Sequence, residues 1–291
     1  VVPIDSYQSL LGRRGQRYSL QKKSPALVLA VARPPFAVSL SSQCQKLDVA
    51  RSYAASLVLG CPFSCEYCYV QGVYGCGHTV VFVNIEQVFA EIAGLGQHSG
   101  DTVSVSASLE TDLLAMEKDL GLCARWIEFL RDKQNIQVEL RTKSAAYDLI
   151  HHIAPSPNVI LAWSLAPSAV WERFEHGTAS PRLRIENARR AAVEGWPVRL
   201  CFDPMIIGPE GLDEHLEFIS KVFDDIPPSR VHSVFVGGFR MSANQLRLLR
   251  RDRPCSKILH ASLGQDGDCE AAAAHIARYV GEDKVVLWKK P

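Results

Sequence analysis

Cys61-Pro62-Phe63-Ser64-Cys65-Glu66-Tyr67-Cys68-Tyr69 decides how the rest of this chain is read. Three cysteines fall at C-x₃-C-x₂-C in one short loop. Just before them, Ala54-Ala55-Ser56-Leu57-Val58-Leu59-Gly60 reads as a buried strand. Thiolates this close in sequence reach one soft metal centre. Three is one fewer than a closed structural zinc site or a fully ligated iron–sulfur cube takes. Three arrangements fit: a [4Fe–4S] cluster with one iron left open, a zinc knuckle with a distant fourth ligand, or three unrelated thiols.

Length and composition bound the rest. The chain has 291 residues and is 47% hydrophobic, enough for one large domain or two small ones. With 32 basic and 31 acidic residues, its net charge of +1 sets up no overall field for a polyanion. Nine cysteines, an odd number, are not spaced like a secreted disulfide framework. No segment approaches the ~20 apolar residues of a membrane span, and Ala26 to Ala32 is too short for a signal-peptide core. The chain begins with Val1 and not Met, which leaves room for an upstream piece. A reducing cytoplasm suits an exposed cluster loop, and a monomer without a membrane partner is expected.

Three stretches are expected along the chain. Residues 1–50 form a basic arm or extension: Arg13, Arg14, Arg17, Lys22 and Lys23 face only Asp5 among acids in the first 23 positions. Such an arm is either solvated or held on phosphates. Residues 51–255 alternate strand and helix signals. After the 54–60 run, strands are read at 102–106, 136–140, 159–163, 197–202 and 231–236. Helices are read after Asn84, over 119–132, after Pro181, over 210–223 and over 242–251. Six βα units imply a parallel sheet, two short of a closed eight-unit barrel. The fold expected is therefore α/β, an open (β/α)₆ partial TIM barrel with its site at the C-terminal strand ends. Residues 256–291 form an extension with a helix.

The strand ends carry polar groups in a telling order. Ser108-Leu109-Glu110-Thr111-Asp112 follows the second strand, Arg141-Thr142-Lys143 the third, and the fourth ends at Trp163-Ser164-Leu165. A carboxylate with a hydroxyl holds an ammonium, and a lysine with a hydroxyl holds a carboxylate. Those are the two ends of an amino acid.

The three-cysteine loop, with an aromatic between the last two cysteines, resembles the radical S-adenosylmethionine (SAM) enzymes. More narrowly, Cys65 to Gln71, Val83-Asn84, Thr111-Asp112, Thr142-Lys143, Ser164, Phe174 to Ser180 and Arg184 resemble the spore photoproduct lyase family in the same order, over roughly residues 51 to 215. The resemblance implies that Cys61, Cys65 and Cys68 hold a [4Fe–4S] cluster whose open iron binds SAM and whose electron cleaves it to a 5′-deoxyadenosyl radical. It implies that Thr111 and Asp112 hold the SAM amino group, and that Lys143 and Ser164 hold its carboxylate. Tyr67 contacts adenosine through its backbone, and Tyr69 takes part in hydrogen-atom relay. The implied activity is a lyase that splits a methylene-bridged thymine dimer in DNA. An electron donor such as flavodoxin or ferredoxin is implied with it.

Two departures narrow the resemblance. The family's lyases carry a hydrogen-donor cysteine three residues before the SAM-binding aspartate; here that position is Leu109. Cys76 and Cys201 are the nearest replacements, with Cys76 the preferred partner of Tyr69. The lyases also end in a basic, aromatic hairpin, and Ser256 to Asp268 shows none. Arg240, Arg247, Arg250, Arg251 and Arg253 form the remaining basic face. Two alternatives stay open: a radical SAM enzyme acting on a small nucleoside or other metabolite, and a non-catalytic zinc-binding nucleic-acid module.

Overall fold

The computed structural model describes residues 2–11, 13, 15–40, 51–97, 101–208, 211–259, 262–263 and 266–289. Its strands are β1 (Leu27–Ala30), β2 (Ala37–Ser39), β3 (Arg51–Ala55), β4 (Val58–Leu59), β5 (Thr79–Phe82), β6 (Val103–Ser106), β7 (Ile136–Thr142), β8 (Val159–Ser164), β9 (Val198–Ile207), β10 (Val231–Gly238), β11 (Ser262–Leu263) and β12 (Val285–Leu287). The main sheet runs β12-β10-β9-β8-β7-β6-β3-β2. Six neighbours, β3, β6, β7, β8, β9 and β10, are parallel throughout. They are the open parallel half-barrel expected from the alternation of strand and helix signals. Both flanking stretches add to it: β2 pairs antiparallel with β3, and β12 pairs parallel with β10.

Helices Ile85–Gln97, Leu122–Leu130, Pro181–Val193 and Leu212–Asp225 lie in the crossovers and bury apolar stripes against the sheet. Trp126, Trp163 and Trp196 are fully buried in this layer. The β7–β8 connection departs from the expected βα unit, holding only a 3₁₀ turn at Tyr147–Leu149. Pro155 and Pro157 disfavour a helix there. Tyr147, packed edge-on against Trp163 with ring centroids 6.3 Å apart, covers the sheet instead.

The expected first strand is also divided. β3 ends at Ala55, and Val58-Leu59 turns away to pair antiparallel with β5, which pairs in parallel with β1 in a separate three-stranded sheet. Both halves are apolar, with Leu57, Val58 and Leu59 buried, so hydrophobicity alone does not reveal which sheet each joins. The expected helix over 119–132 breaks at Gly121 into Glu117–Leu120 and Leu122–Leu130. The buried Glu117 carboxylate caps the second piece, accepting from the amides of Cys123 at 2.6 Å and Ala124 at 3.0 Å.

Candidate active site

The three-cysteine loop leaves β4 through Gly60. Its φ of +92° is a left-handed value, and a Cβ there would lie 2.5 Å from the His78 carbonyl oxygen, so only glycine fits. Beyond it, three parts of the chain hold the loop. Ser64 N–H donates to His176 O at 3.0 Å and Glu66 N–H to Phe174 O at 2.8 Å. Arg253 donates to Ser64 Oγ at 2.7 Å, and Ser256 Oγ donates to the Glu66 carboxylate. Lys22 Nζ donates to the Cys61 carbonyl and lies 6.0 Å from the centre of the buried Tyr18 ring.

One cavity of about 380 Å³ opens at the C-terminal ends of the parallel strands. Cys61, Cys65, Cys68, Tyr67, Tyr69, Thr111, Asp112, Lys143 and Ser164 all line it. Cys76 does not; it is buried beyond the helix Val70–Tyr74. Cys201 is fully buried on β9, packed with Ala162 and Phe235 and close to Arg141, which lines the cavity. Among the described residues, no group of three or more His, Cys, Asp or Glu side chains is gathered to hold a metal ion.

Each candidate residue has a definite setting. Asp112 is buried, and its carboxylate accepts from Thr142 Oγ1 at 2.8 Å, Ala115 N at 3.0 Å and Lys143 N at 2.6 Å. Burial still raises its pKa above the ordinary value, against those bonds and the Lys143 charge. Lys143 Nζ lies 5.6 Å from the centre of the Tyr67 ring. Ser164 is 2% exposed, and its Oγ has no hydrogen-bond partner. An orphaned hydroxyl on a cavity wall is costly unless a ligand completes it. Tyr69 donates its hydroxyl hydrogen to the Leu109 carbonyl at 2.6 Å. Burial pushes the thiols of Cys61, Cys65 and Cys68 up, while the Lys143 charge works in the opposite direction at Cys65 and Cys68. The three thiols line one cavity without being drawn around a common point, and soft donors of this kind suit a positively charged inorganic centre, which stabilises thiolates.

A deeper brace carries the loop. Tyr67 donates its hydroxyl to Glu175, and Glu175 pairs with Arg184, whose side chain is fully buried. Arg184 also donates to Ser164 O at 3.0 Å, Ala179 O at 2.8 Å and Thr178 Oγ1 at 2.7 Å. One guanidinium therefore joins the β8 end to the three-cysteine loop. Arg184 belongs to the resemblance, but its role does not follow from it. The available signal is its place on the buried, mostly apolar face with Pro181, Ile185, Ala188 and Ala192.

The basic stretches are divided between structural and exposed positions. Arg17 pairs with Asp252 at 3.8 Å, Arg13 donates to Ser9 O, and Lys23 is exposed; Arg14 lies outside the described residues. On the other face, Arg247, Arg250 and Arg251 are exposed, whereas Arg253 reaches Ser64 and Arg240 turns into the cavity.

An open parallel half-barrel thus carries three thiols, Asp112, Lys143 and Ser164 around one cavity. Residues 22–260 match the model of the family described as spore photoproduct lyase, and the chain belongs to that family. It is 24% identical over 155 residues to the spore photoproduct lyase of Geobacillus sp. (strain Y412MC61), covering 53% of this chain and 46% of that one. With the Bacillus subtilis (strain 168) lyase it shares 24% over 181 residues, 62% of this chain and 53% of that one. The matches thus span about half the length of these curated relatives. The fold agrees over 100% of this chain and 87% of a doubly substituted spore photoproduct lyase with bound AdoMet and dinucleoside spore photoproduct, with TM-score 0.79 at 17% identity. A second lyase, complexed with dinucleoside spore photoproduct, gives TM-score 0.77 at 18% identity, covering 99% and 86%.

Proposed function

We propose that this chain is a radical SAM enzyme of the lyase type that acts on a pyrimidine photoproduct in DNA. One observation carries the reading: the three loop thiols, Asp112, Lys143 and the unpartnered Ser164 Oγ share one cavity. Cys61, Cys65 and Cys68 would hold a [4Fe–4S] cluster, which would supply an electron, drawn from a flavodoxin- or ferredoxin-type donor, for reductive cleavage of SAM to methionine and a 5′-deoxyadenosyl radical.

The chain's own residues bind and orient. Lys143 and Ser164 receive a carboxylate, the ammonium by charge and the hydroxyl by its unused donor. Thr111 and Asp112 receive an ammonium, and a cation beside the buried Asp112 carboxylate offsets the burial that raises its pKa. Tyr67 is braced by Glu175 and walls the cavity beside Lys143. Tyr69 relays hydrogen. Its phenol lies on the cavity at the Leu109 carbonyl, where the family carries its thiol, and Cys76 lies off the cavity.

The test is anaerobic reconstitution with iron and sulfide, followed by product analysis on irradiated DNA carrying the photoproduct. Release of thymine pairs supports the reading. A cluster and SAM cleavage without any change in the DNA would leave the cofactor chemistry standing and move the substrate to a small nucleoside. One observation favours that second reading: the inward turns of Arg240 and Arg253 break up the basic face. Zinc without iron or sulfide would overturn both.

A further inference from the structure

The far arc of the cavity carries charge that none of these assignments uses. Arg199, Glu139, Arg141, Asp203 and Arg240 form one continuous chain of ion pairs across β7, β9 and the turn after β10. Arg199 pairs with Glu139, and Arg141 Nε lies 3.2 Å from Glu139 Oε1. Arg141 Nη1 lies 3.0 Å from Asp203 Oδ2, and Arg240 Nη1 lies 2.6 Å from Asp203 Oδ1. Three guanidiniums meet two carboxylates, an excess of one positive charge. Both Asp203 oxygens and both Glu139 oxygens already accept from arginines.

Four members of the chain, Glu139, Arg141, Asp203 and Arg240, line the cavity, and Arg199 lies buried behind them; of the four, the two arginines are the more exposed. The Arg141 and Arg240 side chains are 20% and 24% exposed, whereas Glu139 and Asp203 are 4% and 9% exposed. Burial opposes the Asp203 charge, but Arg240 and Arg141 together hold its pKa below the ordinary value, so the bridge between the two arginines stays ionised. Both guanidiniums are also held against aromatic rings. The Arg240 Cζ lies 4.7 Å from the Trp288 ring centre, and that of Arg141 lies 5.3 Å from Phe235. The backbone makes room for the cluster: a Cβ at Gly237 would stand 2.7 Å from Asp203 Oδ1 and 2.9 Å from Arg240 Nη1. Guanidiniums fixed in advance lose little entropy on meeting an oxyanion, and their planar donors suit phosphate and carboxylate.

We propose that Arg141 and Arg240, bridged by Asp203, form an oxyanion subsite that holds an anionic group of the substrate. The inference rests on the reading above in assigning Lys143 and Ser164 to SAM and leaving these two arginines to the substrate. In a DNA substrate the oxyanion is a backbone phosphate; in a small pyrimidine metabolite it is a phosphate or a carboxylate. A cluster that merely plugs the half-barrel would have no preference among such ligands.

Calorimetric titration of the full chain, before and after reconstitution with cluster and SAM, tests this with thymidine, thymidine 5′-monophosphate and orotate. The expected result is that the monophosphate binds about ten- to a hundredfold more tightly than thymidine, the range of a charge-assisted bond. Arg240→Gln and Arg141→Gln should each erase most of that margin while SAM affinity, the control for folding, holds. Orotate exceeding both other ligands would make the oxyanion a carboxylate and keep the subsite. Equal binding of thymidine and its monophosphate, no binding of any of the three, or a margin that survives both substitutions overturns it. The cofactor reading fails separately, by loss of cluster or SAM binding, and the phosphate margin is measurable in either case.

Discussion

The two sides of the cavity are built differently. On the cluster side, the thiols, Tyr67 and Tyr69 come from one nine-residue stretch, and Thr111-Asp112 and Lys143 close adjacent strand ends. On the far side, Arg141, Asp203 and Arg240 come from β7, β9 and the turn after β10, up to 99 positions apart in the chain. The three thiols share one short loop at fixed spacing, so that part of the cavity is written in a contiguous motif. Substrate chemistry needs a charge pattern, and any strand that ends at the cavity supplies it. Both sides rest on a buried ion pair, Arg184–Glu175 behind the loop and Arg199–Glu139 behind the far arginines, and the far side also presents two guanidiniums to the cavity.

The brace gives the largest expected change in stability. Arg184→Met removes a fully buried guanidinium and leaves Glu175, itself 3% exposed, without its cation. Breaking a buried pair from one side costs about 3–5 kcal/mol. Denaturant unfolding should show a loss of that order, while an exposed pair such as Arg189–Glu186 should change little when Arg189 is replaced by Met. Similar losses for the two would remove the distinction between a braced loop and an ordinary surface.

Lys143→Ala comes next. On the proposed clamp it deletes a charge-assisted bond worth about 1.5–3 kcal/mol, so SAM affinity measured by calorimetry on the reconstituted protein should fall about ten- to a hundredfold. Unchanged affinity would take Lys143 out of the clamp.

The far side should show itself in the acid limb of stability. Arg240 and Arg141 lower the Asp203 pKa, and Arg141 and Arg199 lower that of Glu139, in both cases against burial. A carboxyl whose pKa is depressed by folding adds stability that is complete above its unfolded value and is lost as pH falls through its folded value. Stability should therefore drop as pH falls below about 4, the ordinary carboxylate range. Asp203→Asn should flatten that limb relative to the parent; an identical pH profile would mean that the bridge contributes no linkage.

Tyr69→Phe should have the smallest structural effect. It keeps the ring and removes one hydrogen bond, to Leu109 O, worth about 0.5–1.5 kcal/mol. Stability should barely move, and SAM cleavage should continue but yield less product per 5′-deoxyadenosine. Full coupling in the variant would reduce Tyr69 to a cover for the cluster.

The legibility of these features follows the same division. Five of the six parallel strands and the three-cysteine loop were readable, because strand periodicity and a local motif survive in one dimension, while the roles of Thr111, Asp112, Lys143 and Ser164 came from the family resemblance. The split of 54–60 between two sheets was not, since Ala55 and Val58 are equally buried in either. No helix was read between β7 and β8, and there Tyr147 does the covering from a turn, so the count of six βα units overstates the helices by one. Arg240 read as part of a surface basic run, and only the position of Asp203 across the β9–β10 pair turns it inward. Pairings between residues tens of positions apart leave no local trace.

The most direct measurement is 5′-deoxyadenosine formed by the anaerobically reconstituted protein, supplied with SAM and a low-potential reductant, beside Cys65→Ala. The parent should hold iron and sulfide in a cluster with visible absorption and release 5′-deoxyadenosine, and the variant should release none. A Cys65→Ala protein that keeps a normal cluster and still makes 5′-deoxyadenosine, or a parent that takes up iron and sulfide yet never cleaves SAM, would contradict the account.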